Sequence, residues 1–139
     1  MSGDPPGPTG GRPPLPPGTE TVLVVEDDQR VRTYVKDVLR SLGYTVLEAS
    51  RGAGGLATTV EQGGKIDLII TDVVMPGMEG TEFGYYIERR FPGTKILYMS
   101  GLTSEQAIRD RFAHEVAFLQ KPFTPADLAH KVRELLDPR

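Results

Sequence analysis

Residues 22–31, VLVVEDDQRV, pass directly from four aliphatic side chains to three consecutive acids, Glu26, Asp27 and Asp28. The aliphatic residues are mostly β-branched, which predicts a short buried strand. Adjacent carboxylates repel one another and acids are poor strand formers, so the strand should end here. Asp28 is best interpreted as the N-cap of the helix that follows. Glu26 and Asp27 then stand at the carboxyl end of the strand.

The alternation of a short apolar strand and a helix continues along the chain. Strands are predicted at residues 21–26, 44–49, 65–71, 94–100 and 116–120. Helices are predicted at residues 28–43, 52–64, 80–91, 103–115 and 124–136, the last with Thr124 as N-cap and Pro125 at its first position. Such apolar strands, each followed by a helix, predict a parallel sheet covered on both faces. Right-handed crossovers make this a doubly wound, flavodoxin-like α/β sandwich with strand order 2-1-3-4-5.

The composition is typical of one soluble globular domain. The chain has 139 residues, of which 38% are hydrophobic and 25% charged, and its net charge is -3. This negative charge disfavours nucleic-acid binding. Because there is no cysteine, disulfides and thiolate metal sites are excluded. No apolar run has the length of a membrane span and the first residues lack the apolar core of a signal peptide, so we expect a cytoplasmic chain without membrane contact.

The first segment, residues 1–20, is MSGDPPGPTGGRPPLPPGTE. It is rich in proline and glycine and has too little apolar surface to offset the entropy of ordering. We interpret it as a disordered, partly polyproline linker or an added tail, with the domain at residues 21–137. A PxxP ligand for an adaptor domain is the functional alternative.

Polar side chains stand at the carboxyl ends of four predicted strands. They are Glu26 and Asp27, Asp72, Ser100 and Lys121. In the predicted strand order these ends meet at one rim of the sheet, near the point where the winding reverses. Each residue alone could be a cap, a turn residue or a surface charge. Because all of these polar residues are predicted to lie at the same rim, a shared binding site is the favoured interpretation.

Three carboxylates in one pocket would repel one another unless a cation neutralised them. The ligands on offer are hard oxygens, with no cysteine and no nearby histidine, so Mg²⁺ or Mn²⁺ is the fitting ion. A carboxylate, a divalent cation, a hydroxyl and a lysine around one point describe a site for a phosphoryl group. Asp72 is the candidate nucleophile, and Lys121 would stabilise charge on the transferred oxygens.

The segments VLVVEDD, IDLIITDVVMPGMEG, ILYMSG and FLQKPF resemble, in order and position, the motifs of CheY-like response regulator receiver domains. The resemblance covers roughly Thr21 to Leu136. It implies a phosphoacceptor module of two-component signalling, in which a phosphohistidine of a histidine kinase or phosphotransfer protein donates a phosphoryl group to Asp72. A second copy of the chain, paired on phosphorylation, is a further candidate partner.

The resemblance also assigns roles to individual residues. Ser100 and Lys121 would bind the phosphoryl group, and the Lys121–Pro122 peptide bond would be cis. The magnesium ligands it implies are Asp27, Asp72, the backbone carbonyl of Val74 and, through water, Glu26.

Phe118 matches the aromatic switch position of the family, which favours a switch role; a plain core phenylalanine is the alternative. On phosphorylation Ser100 would move toward the phosphoryl group and Phe118 would turn into the vacated space. The surface formed by the fourth predicted helix, the fifth strand and the last helix would change as a result.

Val74 and Leu102, each two residues beyond a site residue, are apolar and cannot orient an attacking water. We therefore expect a long-lived phosphoaspartate.

Other proteins use related chemistry or the same fold. A Mg²⁺-dependent phosphatase of the haloacid dehalogenase type needs a second acid two residues after the nucleophile, where this chain has Val74. A nucleotide or flavin site requires a glycine-rich loop after the first strand, whereas RGAGGL follows the second. A degenerate receiver would have lost Asp72 or Lys121. We therefore predict a signalling domain, with self-catalysed phosphoryl transfer and autodephosphorylation, rather than an enzyme.

The segment LPPGTETVLVVEDD, together with the later motifs, looks most like the C-terminal receiver domain of a hybrid sensor histidine kinase. Such a parent protein can be membrane-anchored. A free-standing, single-domain response regulator is the alternative.

Overall fold

A computed structural model of the chain describes residues 14–73, 80–101, 110 and 115–138. Five parallel strands form one sheet in the order β2-β1-β3-β4-β5, which confirms the predicted fold class and order. The strands are β1 (Thr21–Val25), β2 (Thr45–Ala49), β3 (Leu68–Asp72), β4 (Lys95–Ser100) and β5 (Ala117–Gln120). The described ranges contain the helices α1 (Gln29–Ser41), α2 (Gly52–Glu61), α3 (Gly80–Arg90) and α4 (Pro125–Leu136).

The predicted helix at residues 103–115 lies almost entirely outside the described residues. Within the described part of the chain, no helix is both long and apolar enough to cross a bilayer.

The sheet is buried on both faces, as its continuous apolar strands require. Successive side chains of β1 point to opposite faces, so Val22 and Val24 join one core while Leu23 and Val25 join the other. The first core lies under α1 and α4 and the second lies under α3. The helical residues that fill these cores are Val35, Leu39, Leu128 and Val132 in the first and Phe83 and Ile87 in the second.

Two helix starts follow the predicted capping chemistry. Asp28 Oδ1 accepts a hydrogen bond from the Arg30 N–H at 2.9 Å, which confirms Asp28 as the N-cap of α1. At α4, Thr124 Oγ1 accepts from the Asp127 N–H at 3.0 Å. The Thr124 N–H in turn donates to Asp127 Oδ2, also at 3.0 Å, which completes a capping box. Both helices therefore begin where the sequence indicates.

Helix α2 is weakened by its three glycines. A Cβ at Gly54 would have 3.6 Å to its nearest neighbour, the Cβ of Ala49, whereas at Gly55 it would lie 2.9 Å from Val25 Cγ2. We expect Gly54→Ala to raise the free energy of unfolding by about 0.5–1 kcal/mol, because alanine loses less backbone entropy in a helix. Urea denaturation measures this change. Gly55→Ala is the matched control and should lower the stability; equal effects at the two positions would contradict the explanation.

Residues 17–20, which belong to the segment predicted as a linker, contact the domain in the structure. The Gly18 N–H donates to the Leu42 carbonyl at 3.1 Å, and the Pro17 carbonyl accepts from Arg133 Nη1 at 3.1 Å. Arg133 Nη2 also pairs with Glu20 Oε2 at 2.6 Å, and this hydrogen bond holds the pKa of Glu20 below its ordinary value. Composition alone misses this attachment because it depends on polar contacts rather than on apolar burial.

Candidate functional site

The carboxyl ends of β1, β3, β4 and β5 surround one cleft of about 470 Å³. The residues placed at strand ends by the sequence all line it: Glu26, Asp27, Asp72, Ser100 and Lys121. Asp28, Val31 and Gly101 complete the lining. Four segments that are distant in sequence thus meet because parallel strands place their carboxyl ends at the same edge.

An acidic cluster occupies one side of this cleft. Glu26, Asp27 and Asp72 each offer a carboxylate oxygen, and these oxygens lie within 4.8 Å of one another. Glu26 is fully buried, Asp72 is 9% exposed and Asp27 faces solvent. Three hard oxygen donors at this spacing match the ligand preference of Mg²⁺ or Mn²⁺. The donor set therefore fits a divalent cation.

Lys121 stands between two members of this cluster. Its Nζ lies 2.8 Å from Glu26 Oε1 and 3.5 Å from Asp72 Oδ2. Burial opposes the charge of the ammonium, but the hydrogen bond from Lys121 to Glu26 and the charge of Asp72 raise the pKa of Lys121 above its ordinary value. Lys121 is therefore a permanent cation beside both carboxylates.

The position of Lys121 is set by the β4–β5 ladder and the turn after it. The Lys121 N–H donates to the Ser100 carbonyl at 2.9 Å, and the Lys121–Pro122 peptide bond is cis, the form that the family resemblance implies. Ser100, at the end of β4, is 2% exposed. The hydrogen bond between their main chains keeps Ser100 and Lys121, two residues of the cleft lining, next to each other.

Glu26 is already bonded by protein donors. Its Oε1 accepts from Lys121, and its Oε2 accepts from the Asp28 N–H at 3.0 Å. Burial raises the pKa of Glu26 to about 6, although both hydrogen bonds oppose this shift. Both oxygens of the buried Glu26 carboxylate are therefore already bonded by groups of the protein.

Two contacts around the cleft escaped the sequence interpretation. Arg32 Nη1 donates to the Glu26 carbonyl at 2.6 Å, from a helix position that periodicity assigns to an ordinary surface charge. Gly80, the first residue of α3, donates its N–H to the Val73 carbonyl at 2.8 Å. A Cβ on Gly80 would overlap the backbone of Asp72, so α3 approaches the end of β3 closely. The sequence signal for this close approach of α3 to β3 was the glycine at the start of the periodic helix.

The remaining candidate residues divide into two groups. Phe118 on β5 is 6% exposed and packs with Val73 and Tyr98 in a small apolar cluster. This location is compatible with the core interpretation and with the switch interpretation, so the switch stays a prediction. Val74 and Leu102 lie outside the described residues.

Comparison with known proteins identifies the class to which this fold and cleft belong. The sequence matches the response regulator receiver domain family over residues 22–133. The chain belongs to this family and is a receiver domain of two-component signalling.

Two curated relatives illustrate the contexts in which the domain occurs. The chain is 38% identical over 121 residues to Sensor kinase CckA of Brucella abortus (strain 2308), an alignment that covers 86% of this chain and 13% of that protein. It is 29% identical over 116 residues to Response regulator receiver protein CpdR of the same organism, which covers 83% of this chain and 95% of that protein. The chain thus spans a small part of one relative and nearly all of the other.

Solved structures agree with the fold. The receiver domain from Hybrid Histidine Kinase CckA has a TM-score of 0.68 and 33% identity, covering 84% of this chain and 99% of that chain. Chemotaxis response regulator CheY4 of Vibrio cholerae has a TM-score of 0.77 and 32% identity, covering 86% of this chain and 100% of that chain. Both likenesses support the CheY-like fold.

Proposed function

We propose that this chain is a phosphoacceptor in a phosphorelay and that Asp72 accepts the phosphoryl group from a phosphohistidine of a partner protein. The observation that carries the proposal is the placement of Lys121 Nζ, 2.8 Å from Glu26 and 3.5 Å from Asp72, within a cluster of three carboxylates. A lone surface aspartate would have neither the cation nor the acidic neighbours. This combination is suited to phosphoryl transfer, whose catalysis rests on positioning and on neutralising charge.

The chemistry follows from the positions of the side chains. An Asp72 carboxylate oxygen forms a bond to phosphorus while the bond between phosphorus and the donor imidazole nitrogen breaks, and the imidazole leaves with that electron pair. In this proposal Lys121 neutralises charge on the transferred oxygens, and the Ser100 hydroxyl, from the lining of the same cleft, donates a hydrogen bond to one of them.

The acidic cluster is suited to hold Mg²⁺, or Mn²⁺ in its place. Asp27 and Asp72 would be direct ligands, with Glu26 acting through water and the Val74 carbonyl as the further ligand that the family implies. When bound, the cation would offset the negative charge of the carboxylates and of the transferred oxygens. Asp27, the exposed member, leaves this side of the cleft open to solvent.

The proposed signal is a change in packing next to the site. A phosphoryl group on Asp72 adds charge and acceptor oxygens beside Ser100, and Phe118 lies on the adjacent strand. Movement of Ser100 toward the phosphoryl group and of Phe118 into the vacated space would alter the surface of β5, α4 and the segment before β5. The apolar residues Val74 and Leu102 favour slow autodephosphorylation.

The domain is best placed in a hybrid sensor histidine kinase, as its C-terminal receiver on the cytoplasmic side. The likeness to Sensor kinase CckA, at 38% identity, supports this placement over a free-standing regulator. Its immediate partner would be a phosphohistidine domain of a kinase or a phosphotransfer protein, and a second copy of the chain could pair with the phosphorylated form. In this role the chain catalyses its own phosphorylation and dephosphorylation and turns over no separate substrate.

Incubation with acetyl phosphate tests the proposal directly. With Mg²⁺ present, intact-mass analysis should show the addition of one phosphoryl group, and EDTA should prevent it. The adduct should be removed by hydroxylamine, which cleaves an acyl phosphate but leaves a phosphoserine intact. A wild-type chain that acquires no phosphoryl group, or acquires one equally well with EDTA, would contradict the proposal.

A further inference from the structure

The main chain of Glu26 is fixed on both sides. Its N–H donates to the Ala49 carbonyl on β2 at 3.1 Å. Its carbonyl accepts from Arg32 Nη1, on the first turn of α1, at 2.6 Å. This carbonyl belongs to the peptide group that joins Glu26 to Asp27, two members of the acidic cluster. The orientation of that peptide therefore depends on a side chain that approaches from outside the cleft.

An ion pair with Glu48 fixes the orientation of the Arg32 side chain. Its Nε donates to Glu48 Oε1 on β2 at 3.1 Å, and its side chain is 16% exposed. The donors of a guanidinium lie in one rigid plane, so an Nε fixed on Glu48 sets the direction of Nη1. Lysine could keep the charge but could not hold both acceptors in these directions. The second Glu48 oxygen pairs with Lys36 Nζ at 3.0 Å.

We propose that Arg32 is a positioning residue for the cation site. By holding the Glu26 carbonyl, Arg32 fixes the peptide from which the Glu26 and Asp27 carboxylates project, and Glu48 serves to aim Arg32. This inference rests on the proposed function, because it assigns Arg32 to the site at which the cation would bind. Arg32 acts through the main chain, as an outer partner of the ligands.

The positioning role and the charge of Arg32 predict opposite effects on Mg²⁺ affinity when Arg32 is removed. A guanidinium near a cation site repels the cation, so removing it would strengthen Mg²⁺ binding if Arg32 acted only through its charge. Removing a positioning residue instead weakens binding. Lys36 offers a matched control, since it lies one turn further along α1 and pairs with the same Glu48. The sign of the change in affinity therefore separates the two roles.

The test compares Arg32→Met with Lys36→Met in Mg²⁺ titrations followed by NMR or calorimetry. We expect Arg32→Met to raise the Kd for Mg²⁺ by roughly tenfold, the lower end of what loss of an outer partner costs. Lys36→Met should leave the Kd within about twofold of wild type, since the Lys36 ammonium bonds Glu48 rather than the peptide between Glu26 and Asp27. Arg32→Lys, which preserves the charge, should restore little of the affinity.

A second measurement uses the metal-free protein. In Arg32→Met the amide signals of Asp27 and Asp28 should shift and their hydrogen exchange should accelerate, whereas in Lys36→Met they should stay close to wild type. Glu48→Gln should reproduce part of the effect, and its combination with Arg32→Met should be non-additive. Thermal unfolding of every variant identifies any loss of Mg²⁺ affinity that is caused by global instability. If Arg32→Met does not fold, Arg32→Lys replaces it in both measurements.

The outcomes separate this inference from the proposed function. If wild type binds Mg²⁺ and becomes phosphorylated but Arg32→Met binds Mg²⁺ as well or better, the positioning role is wrong and the phosphoacceptor role stands. If wild type does neither, the phosphoacceptor role is wrong. In that case the amide signals of Asp27 and Asp28 in the metal-free protein still test whether Arg32 orders the peptide between Glu26 and Asp27. If these signals are the same in Arg32→Met and in wild type, the positioning role is wrong too.

Discussion

Asp72→Asn is expected to abolish phosphoryl uptake from acetyl phosphate and from a phosphohistidine donor. The amide nitrogen and oxygen of asparagine are poor nucleophiles, so no acyl phosphate can form at this position. The substitution also removes one of the three carboxylates that lie within 4.8 Å of one another, which should weaken binding of Mg²⁺. Intact-mass analysis with saturating Mg²⁺ and donor measures the loss.

The matched control for this loss is Asp37→Asn. Asp37 is an exposed aspartate on α1, and its substitution should leave phosphoryl uptake at the wild-type level. Circular dichroism should show both variants folded, because asparagine nearly matches the shape of aspartate. Phosphorylation of Asp72→Asn to the wild-type extent would place the acceptor elsewhere and overturn the assignment.

Gly80→Ala is expected to lower the free energy of unfolding by about 3 kcal/mol, the upper end of the usual cost of overpacking. The added Cβ would overlap the Asp72 carbonyl oxygen and would lie 2.9 Å from Val73 Cα. These are main-chain atoms at the end of the fully buried β3, so no side-chain rotation can relieve the overlap. Urea denaturation measures the change, and phosphoryl uptake should slow as the Asp72 carboxylate is displaced.

Gly93→Ala is the control for this prediction. A Cβ at Gly93 meets nothing within 4 Å, so the change should be neutral or slightly stabilising. Equal stability of the two alanine variants would show that α3 can move away from β3 at little cost, contrary to the close approach described above.

The fold could be predicted because its signals are local. Apolar strands and the caps Asp28 and Thr124 each act within a few residues, and the right-handed crossover rule converts them into a strand order. The convergence of polar strand ends on one rim followed from that order. Residues such as Asp72 and Lys121 could thus be assigned to one cleft without any side-chain geometry.

What could not be predicted depends on contacts between a side chain and the main chain, or between distant charges. Arg32 bonds a carbonyl six residues away, and a carbonyl carries no sequence signal. Arg133 pairs with Glu20 across 113 residues, where neither periodicity nor composition indicates a partner. The contacts of residues 17–20 with the domain escaped prediction for the same reason, since they are polar.

The attachment of residues 17–20 has a mechanical consequence. Arg133 ties α4 to the Pro17 carbonyl and to Glu20, while the Gly18 backbone lies against the ring of Tyr44 and bonds the end of α1. A rotation of α4 must therefore either carry this segment with it or break the Glu20 ion pair. The segment before β1 is thus held against α1 and α4 from residue 17 onward, so the chain leaves the domain beside α4. A change in the position of α4 would therefore also shift the point at which the N-terminal segment leaves the domain.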